Sequence, residues 1–494
     1  MKSIGTTPFQ AHRTLNHSTI AVILLVMFLF VEDRAYAQNS QCNCLQNLDT
    51  LISKTETDYA GFPIKVTAQN LKQYKSLRDD LRNKAASTKE NKPCFFVMRS
   101  YVKFFYDSHF SLNYTNENDF DSESIPLSIE VFKKQINKKD KYSLEGIWID
   151  QDSSLVLGIR RYANNIFKAI VLESKDSKIP HGLVYMTITP RDRGLTVKYY
   201  NTFSSTDYPI KVKGNLLLGW NNRIFGRTFP KQMDDLEKSE MKTWKNGNNG
   251  LHFEKLSSKT ALLRIPTFGN NDEKISQLIQ KNDSVIRSTP NLIIDLTGNG
   301  GGSTGWVSFL SYLMTKPIVQ ENGYVRVSKE NVQLKLKDIE PYVVNPIPAG
   351  YEKYFPSSVL NQYKTAYKEL PITKEEFYPV PGVVFPLDSI TSNPKKIALV
   401  VDNLCGSSTE YFFYVSKSSG KTTTYGLNTF GMMDYEGASS TLLPCSHFRV
   451  SIPIVKSSWT DRHPIDKVGF TPDVLLQNTS PERWIDEIRT RLEK

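Results

Sequence analysis

The sequence predicts an α/β fold that carries a helical region before it and a small antiparallel β module in between. From Leu251 onward, short apolar runs alternate with helical stretches, which is the order expected of strands joined by crossover helices. Between Leu144 and Phe229, short strand-like runs are separated by Gly, Pro and Asp, which is typical of a barrel or sandwich. The residues of Cys42–Tyr106 keep a helical period. A chain of 494 residues is long enough for two or three domains.

The first residues are predicted to be a signal peptide that covers residues 1–37. Arg13 precedes the apolar run Ile20–Val31, which is too short for an ordinary membrane span. Ala35-Tyr-Ala37 matches an A-x-A cleavage site, so we expect the mature chain to begin at Gln38. The protein is then exported to the periplasm or the extracellular space, with an uncleaved anchor as the alternative. No later stretch is expected to span a membrane.

Cysteine usage fits an exported protein, because such compartments permit disulfides. The chain has five cysteines, at positions 42, 44, 94, 405 and 445. We expect one of Cys42 or Cys44 to pair with Cys94, and the odd count leaves at least one thiol unpaired. No Cys or His cluster has zinc-site spacing, so no metal or cofactor is expected. The net charge of +11 is spread over scattered lysines without a nucleic-acid motif, which indicates solvated surface rather than nucleic-acid binding.

The predicted division of the chain follows from these patterns. Residues 38–118 form an N-terminal helical region, in which a third helix would start at Pro93 and end before His109. Residues 119–143 form a linker, and the polar stretch Asn116–Lys141 should include one short helix. Residues 144–230 form the β module, and residues 231–494 form the core, which begins near a flexible joint at Asn246–Gly250.

Within the core, strands and helices are expected in alternation. The predicted order is strand Ala261–Ile265, helix Glu273–Arg287, strand Asn291–Leu296, helix Trp306–Met314 and the strand-turn-helix unit Ile397–Gly420. The segment Lys329–Pro386 is rich in Tyr, Pro and Lys, and it is predicted to be a long irregular excursion or a lid.

The strand-turn-helix unit carries the first candidate catalytic residue. Ser407 lies between the apolar run Ile397–Val401 and a helix that begins near Ser408. A serine at such a turn is well placed as a nucleophile, because its hydroxyl is exposed and the free N–H groups of the helix can hold an oxyanion. The alternative is that Ser407 is only a helix cap, since serine is a favoured cap.

A glycine-rich stretch, LIIDLTGNGGGS at Leu292–Ser303, follows another buried strand. Glycines let a ligand or another backbone approach the main chain, and free N–H groups can point at an anion. A phosphate loop of the Walker A type needs a lysine after the last glycine, where this chain has Ser303. A dinucleotide fingerprint is disfavoured in an exported protein, so an oxyanion loop is the better interpretation.

Together, LIIDLTGNGGGS and NLCGSSTE resemble the tail-specific, or C-terminal processing, serine peptidases and their tricorn-like relatives. The resemblance continues through Tyr425–Gly431 and Val468–Asp473, and it covers the chain from about Leu251 to Asp473. It implies a crotonase-like αβ spiral core and serine peptidase chemistry. Family members usually carry a PDZ domain, but no PDZ pattern is present here. The β module stands in that place, so recognition of a free C-terminal carboxylate is not expected.

The resemblance also implies site residues. The nucleophile falls on Ser407, three residues before Glu410. The oxyanion hole would use the N–H of Ser408 and one N–H from the Gly300–Gly301 turn.

The general base departs from the commonest pattern of the family. The position of the usual lysine holds Met432, which excludes a Ser–Lys dyad at these positions. The tricorn-like branch instead uses a histidine from a Ser-His or Gly-His pair and a late carboxylate, which here fall on Ser108, His109 and Asp466. An imidazole titrates near neutral pH and can deprotonate a serine, and a buried partner fixes its tautomer.

Alternatives for these residues remain open in the sequence. His447 and His463 are rival bases, and His109 can also simply end a helix. Asp466 stands where the branch carries a longer Glu, so it can instead be a turn residue or a helix cap.

The sequence leaves two functions from different classes. The first is an exported serine endopeptidase that acts on peptide or protein substrates through Ser407 and His109. The second is a catalytically inactive relative that binds a peptide or ligand through the β module, an interpretation that the loss of the lysine at Met432 favours. An acyl-CoA enzyme of crotonase type is disfavoured, because export separates the protein from CoA.

Overall fold

The computed structural model describes residues 42–115, 123–136, 144–191, 194–220 and 223–494. The predicted signal peptide, residues 1–37, lies outside the described residues, and so does part of the predicted linker. Within the described ranges, no helix combines the length and the apolar character that a membrane crossing requires.

The N-terminal region is helical, as predicted, and it ends in a strand. Its elements are α1 Cys44–Asp58, α2 Phe62–Lys65, α3 Leu71–Ser87, α4 Asn91–Lys103 and β1 Ser111–Tyr114. Two disulfides hold α1. The Cys44–Cys94 bond to α4 confirms one predicted pairing, and the Cys42–Cys445 bond joins the same helix end to the distant core. Cys405 is a buried free thiol.

The predicted linker helix is α5, Ile129–Gln135, which begins where the side chain of Ser128 accepts a hydrogen bond from the Val131 N–H. A closed antiparallel barrel of eight strands follows, as the short-strand pattern predicts. Side chains of the barrel strands, such as Trp148, Leu157 and Ile188, fill its interior, so it is a packed core. In chain order the strands of this region are β2 Gly146–Asp150, β3 Leu155–Arg161, β4 Phe167–Ser174, β5 Val184–Arg191, β6 Gly194–Tyr199, β7 Phe203–Ser204, β8 Tyr208–Lys213, β9 Leu216–Gly219 and β10 Ile224–Phe229; β7 lies outside the barrel and pairs with β1.

The core is the predicted mixed α/β unit. Its elements in chain order are α6 Asp235–Thr243, β11 His252–Lys255, β12 Thr260–Arg264, α7 Asp272–Ser288, β13 Asn291–Asp295, α8 Val307–Leu313, β14 Ile318–Val319, β15 Gly323–Arg326, α9 Lys329–Val344, α10 Ser357–Glu369, β16 Phe377–Val380, β17 Val384–Phe385, β18 Lys396–Val401, α11 Ser408–Ser416, β19 Thr422–Gly426, β20 Tyr435–Leu442, β21 Phe448–Lys456, β22 Val474–Leu475 and α12 Trp484–Glu493.

The main sheet of the core brings two loops together. Its strand order is β11-β12-β13-β18-β19-β22, and the pairs from β12 to β22 are parallel. Since β13 and β18 are parallel neighbours, their carboxyl ends lie side by side. The glycine stretch after β13 and the turn after β18 therefore meet at one edge of the sheet, which is where open α/β sheets place their ligands.

The prediction of an irregular segment at Lys329–Pro386 is wrong, because half of it forms the helices α9 and α10 and further residues form the strands β16 and β17. The two helices bury Ile339, Val359 and Tyr363 in one apolar cluster with Val455 of β21. The Pro-rich composition concealed the helical spacing of these residues, and α9 even continues through Pro341.

A second sheet joins the N-terminal region to the core. Its order is β16-β15-β21-β1-β7, and β20 pairs with β21 as well. In these pairs Ser111 of β1 lies opposite Ser451, and Tyr435 of β20 lies opposite Lys456. One strand, β21, therefore fixes both the segment that follows His109 and the strand that begins at Tyr435.

Candidate active site

Ser407 occupies the turn between β18 and α11 in an unusual backbone conformation. Its φ is +53° and its ψ is −125°, a combination that residues other than glycine seldom adopt. Such strain costs of order 1–3 kcal/mol and persists only where the surroundings hold it. Here the N–H of Gly406 donates to the Asn299 carbonyl at 3.2 Å, and the N–H of Glu410 donates to the Ser407 carbonyl at 2.8 Å.

The structure brings His109 to Ser407 from the N-terminal region. The distance from His109 Nε2 to Ser407 Oγ is 3.0 Å, and the distance from His109 Nδ1 to the backbone oxygen of Tyr435 is 2.8 Å. A carbonyl oxygen only accepts hydrogen bonds, so Nδ1 carries the proton and donates it to Tyr435. Nε2 is then left with its lone pair directed at the Ser407 hydroxyl, which is the arrangement of a general base.

Asp107 holds the loop that carries His109. Its Oδ1 accepts the N–H of His109 at 2.8 Å and that of Phe110 at 3.3 Å, and its Oδ2 accepts the Tyr59 hydroxyl at 2.7 Å. Burial, followed by the charge of Asp107, raises the pKa of Tyr59 well above its ordinary value, so the hydroxyl stays a donor. The β1–β21 pairing starts at Ser111, and it fixes the other side of the same loop.

Asp466, the expected partner of the base, lies elsewhere. Its Oδ2 bonds the ammonium of Lys65, and within the described chain its buried Oδ1 has no hydrogen-bond partner. Burial and repulsion by Asp107 raise the pKa of Asp466 to about 7, while Lys65 opposes that shift. Asp466 makes no hydrogen bond with the His109 ring within the described residues, because the Tyr435 carbonyl occupies Nδ1. The aspartate, which is shorter than the expected glutamate, is held by the charge of Lys65 instead.

The other expected partners of Ser407 also lie apart from it. Ser108 is half-buried and makes none of the hydrogen bonds of the site within the described residues. The His447 ring is half-buried, and its Nδ1 pairs with the Thr115 carbonyl at 3.0 Å. The His463 ring stacks on Phe470 with a centroid distance of 6.3 Å.

The glycine stretch is held against the nucleophile by Asn299, which is fully buried. Asn299 Oδ1 accepts the Gly301 N–H and the Thr409 hydroxyl, each at 2.9 Å. Gly301 has a φ of +97°, and a Cβ at this position would lie 2.7 Å from Ser407 Cβ. A glycine is therefore required at position 301 for two reasons, its backbone conformation and its contact with the nucleophile.

Two backbone N–H groups beside Ser407 are available to a ligand. The Gly301 N–H is engaged by Asn299, so within the expected Gly300–Gly301 turn the available donor is Gly300. The N–H groups of Gly300 and Ser408 have no acceptor in the described part of the chain. Unpaired donors next to a nucleophile at a helix N-terminus are suited to stabilise an oxyanion.

Glu410 ties the turn Asp402–Ser407, named the nucleophile turn after the candidate nucleophile Ser407, to the following loop. This carboxylate is fully buried and accepts hydrogen bonds from Thr429, Gly431, Met432 and Ser407. Burial raises the pKa of Glu410 to about 7, although these hydrogen bonds oppose the shift.

Met432, at the lysine position of the family, is buried against the same turn. A Cβ on Gly406 would lie 2.8 Å from Met432 Sδ. A thioether accepts no proton at this position, so Met432 cannot serve as a general base.

Sequence reasoning missed three residues that build this site. Two of them were detectable as polar residues in apolar surroundings. Asn299 is a single amide inside a glycine run, and Glu410 is a single carboxylate at the start of an apolar helix. Tyr435 acts through its backbone oxygen, so no side-chain pattern signals its role.

The barrel contacts the nucleophile turn through a buried ion pair. Lys211 Nζ of β8 lies 2.7 Å from Asp402 Oδ2. Burial alone would raise the pKa of Asp402, but Lys211 and the N–H groups of Gly298 and Leu404 hold it below its ordinary value.

Known proteins resemble this chain in its family model and in its fold. Residues 259–476 match the model of peptidase family S41. A search of curated protein sequences found no match. Among solved structures, the "cpaf s499a mutant" matches with a TM-score of 0.53 and mature CPAF with 0.51, each at 14% identity over 92% of this chain and 96% of the other. At that identity the likeness shows the fold alone. The tricorn protease matches at 13% identity with a TM-score of 0.40, over 92% of this chain and 37% of that one.

Proposed function

We propose that the chain is a serine endopeptidase of peptidase family S41, whose model residues 259–476 match, with Ser407 as nucleophile and His109 as general base. The observation that carries the proposal is the 3.0 Å distance from His109 Nε2 to Ser407 Oγ. Its substrates are peptides or proteins.

The chemistry follows from the site. His109 Nε2 takes the proton of the Ser407 hydroxyl as Oγ bonds to the carbonyl carbon of the substrate. The carbonyl oxygen becomes an anion, and the N–H groups of Gly300 and Ser408 stabilise it. His109 then gives its proton to the leaving amine, and the C–N bond breaks to leave an acyl ester on Ser407. Water attacks this ester with the same base, and the free serine is restored.

The imidazolium that forms during each step is held by a carbonyl rather than a carboxylate. Its Nδ1–H keeps the bond to the Tyr435 oxygen, whose partial negative charge favours the protonated ring. The carboxylate of Asp107 accepts the backbone N–H of His109, so it holds the loop that carries the ring. In this proposal Asp107 and Asp466 act on the position of the loop and not on the substrate.

We extend the proposal to export of the mature protein. Two disulfides within the described residues support it, because such bonds persist in oxidising compartments. An intact segment 1–37 in mass spectra of the native protein would contradict cleavage at Gln38.

The test compares Ser407→Ala, His109→Ala and the double variant with the parent on casein and a peptide library. Each single variant should lose several orders of magnitude in kcat, and the double variant little more, because the two residues act as a unit. His447→Ala is the matched control, since this histidine ring hydrogen-bonds the Thr115 carbonyl instead of Ser407.

Fluorophosphonate labelling should modify Ser407 in the parent and not in the Ser407→Ala variant. Equal hydrolysis by the parent and Ser407→Ala would refute the assignment. A folded parent that shows no hydrolysis and no labelling would instead favour the inactive peptide-binding relative.

A further inference from the structure

Trp220 reaches from the barrel into the candidate active site. It directly follows β9 and is half-buried, and its indole Nε1 donates to the Leu404 carbonyl at 2.7 Å. Leu404 belongs to the turn that ends at Ser407. The barrel therefore bonds the backbone of the nucleophile turn through a side chain.

The indole ring also covers the glycine stretch. A Cβ on Gly300 would lie 2.6 Å from Trp220 Cδ1, and a Cβ on Gly406 would lie 3.5 Å from Trp220 Cζ2. The ring thus lies against the backbones of both loops that carry the available N–H donors. Phe430 packs on it at a centroid distance of 4.8 Å and an interplanar angle of 66°. Trp220 is enclosed by the glycine stretch, the nucleophile turn and the loop after β19.

Gly300 is the residue of the glycine stretch that needs such support. A run of glycines has no side chains to pack, and its backbone reaches many conformations. Asn299 fixes the Gly301 N–H, but Gly300 has no hydrogen bond from its own N–H in the described chain. The face of the indole ring limits where Gly300 can lie. The hydrogen bond from the indole N–H to the Leu404 carbonyl fixes the ring relative to the turn before Ser408.

We propose that Trp220 is a positioning residue of the oxyanion site, which sets the Gly300 N–H relative to the Ser408 N–H. The inference rests on the proposed function, and it makes the barrel a working part of the active site. Positioning of this kind acts on the transition state, since the two donors gain their full strength only when negative charge develops on the substrate oxygen.

The experiment uses the full mature chain with Trp220→Phe, Trp220→Ala and the control Tyr208→Leu. The phenylalanine keeps one aromatic ring but loses the N–H donor and the second ring of the indole, whereas the alanine loses the whole aromatic side chain. Tyr208 lies on β8 and packs against the barrel core, so its replacement perturbs the barrel without touching the nucleophile turn. Steady-state kcat and KM, the rate of fluorophosphonate labelling and the thermal unfolding midpoint are measured for each variant.

We expect kcat to fall about 10-fold in Trp220→Phe and about 100-fold in Trp220→Ala, as misplacement of catalytic groups by about 1 Å can cost such factors. KM should change little, the labelling rate should fall with kcat, and the midpoint of the pH–rate profile should not move, because His109 is held by Tyr435. Tyr208→Leu should keep the kcat of the parent even where its unfolding midpoint drops.

Two results would overturn the inference. One is a raised KM with unchanged kcat in both Trp220 variants, which would make the indole a substrate-binding wall. The other is an equal loss of kcat in Tyr208→Leu, which would make the effect one of barrel stability. If Trp220→Ala does not fold, Trp220→Phe still gives the kcat and KM comparison. The Ser407→Ala variant separates the two proposals. If it keeps full activity, the peptidase assignment is refuted. If it is inactive while Trp220→Phe is fully active, only the inference about Trp220 is refuted.

Discussion

Replacement of Glu410 by glutamine tests whether a buried carboxylate holds the nucleophile turn. One oxygen of Glu410 accepts the Thr429 hydroxyl and the Gly431 N–H, each at 2.6 Å. The other oxygen accepts the Met432 N–H at 3.0 Å and the Ser407 N–H at 3.3 Å. A glutamine that keeps the first pair turns its NH₂ group toward the second pair, so two buried donors lose their acceptor.

The size of the effect depends on pH. A buried donor without an acceptor costs about 1–3 kcal/mol, so the two together cost about 2–6 kcal/mol. Against this, burial raises the pKa of Glu410 from 4.5 to about 7. Between these two pH values the folded parent retains a proton that the unfolded chain releases, so the stability of the parent falls as the pH rises. Glutamine does not titrate, and the deficit of the variant should therefore shrink by about 2.5 kcal/mol between pH 5 and pH 8.

The assay is thermal unfolding of the parent, Glu410→Gln and the exposed control Glu482→Gln at intervals from pH 5 to pH 8. Groups other than Glu410 titrate alike in the parent and the variant, so their effects cancel in the difference between the two unfolding midpoints. The midpoint difference for Glu410→Gln should be largest near pH 5, and kcat should be reduced at every pH because the Ser407 backbone has lost its support. A difference that stays constant or widens toward pH 8 would refute the assignment of a raised pKa to this carboxyl.

Two further variants test how the site is held. Lys211→Met should destabilise the protein by about 3–5 kcal/mol, because it leaves Asp402 buried without its counter-charge, and addition of Asp402→Asn should restore part of the unfolding midpoint. If Lys211→Met unfolds at the temperature of the parent, the ion pair does not secure the barrel. Asp107→Ala should lower kcat at least about 10-fold, since it frees the His109 N–H and the Tyr59 hydroxyl, whereas Asp107→Asn keeps an acceptor for His109 and most of the activity. Equal kcat in both Asp107 variants would contradict this role.

The parts of the site that lie in contiguous motifs were predictable from the sequence. The glycine stretch and Ser407 each follow a buried apolar strand, and two such strands in an α/β unit are good candidates for parallel neighbours. The barrel was also predictable, because short strands with frequent turns are a local signal. A local signal suffices wherever the spacing of apolar residues decides the structure.

The parts that depend on contacts distant in sequence were not predictable. The Cys42–Cys445 bond spans 403 residues, and nothing near Cys42 distinguishes that partner from the others. The contact of Trp220 with Gly300 requires the docked position of the barrel, which its strands do not encode locally. The helices α9 and α10 were missed because their apolar residues match a surface of β21 that the sequence does not reveal.

The group that bonds His109 Nδ1 is the backbone oxygen of Tyr435, which reasoning from side chains does not detect. A carbonyl oxygen exists at every residue, so only the path of the backbone makes the one at Tyr435 special. That path is set by the β20–β21 register and by the Tyr435 ring, which packs on Tyr59 at 5.7 Å and lies under Lys65 at 5.1 Å. Lys65 also bonds Asp466, and Tyr59 also bonds Asp107. Asp466 therefore reaches His109 only indirectly, through Lys65 and the Tyr435 ring, whose backbone oxygen bonds the imidazole. Asp107 reaches it through the backbone of the loop that carries His109. In the proposed mechanism, the ring of the base is thus oriented without a carboxylate bonded to it.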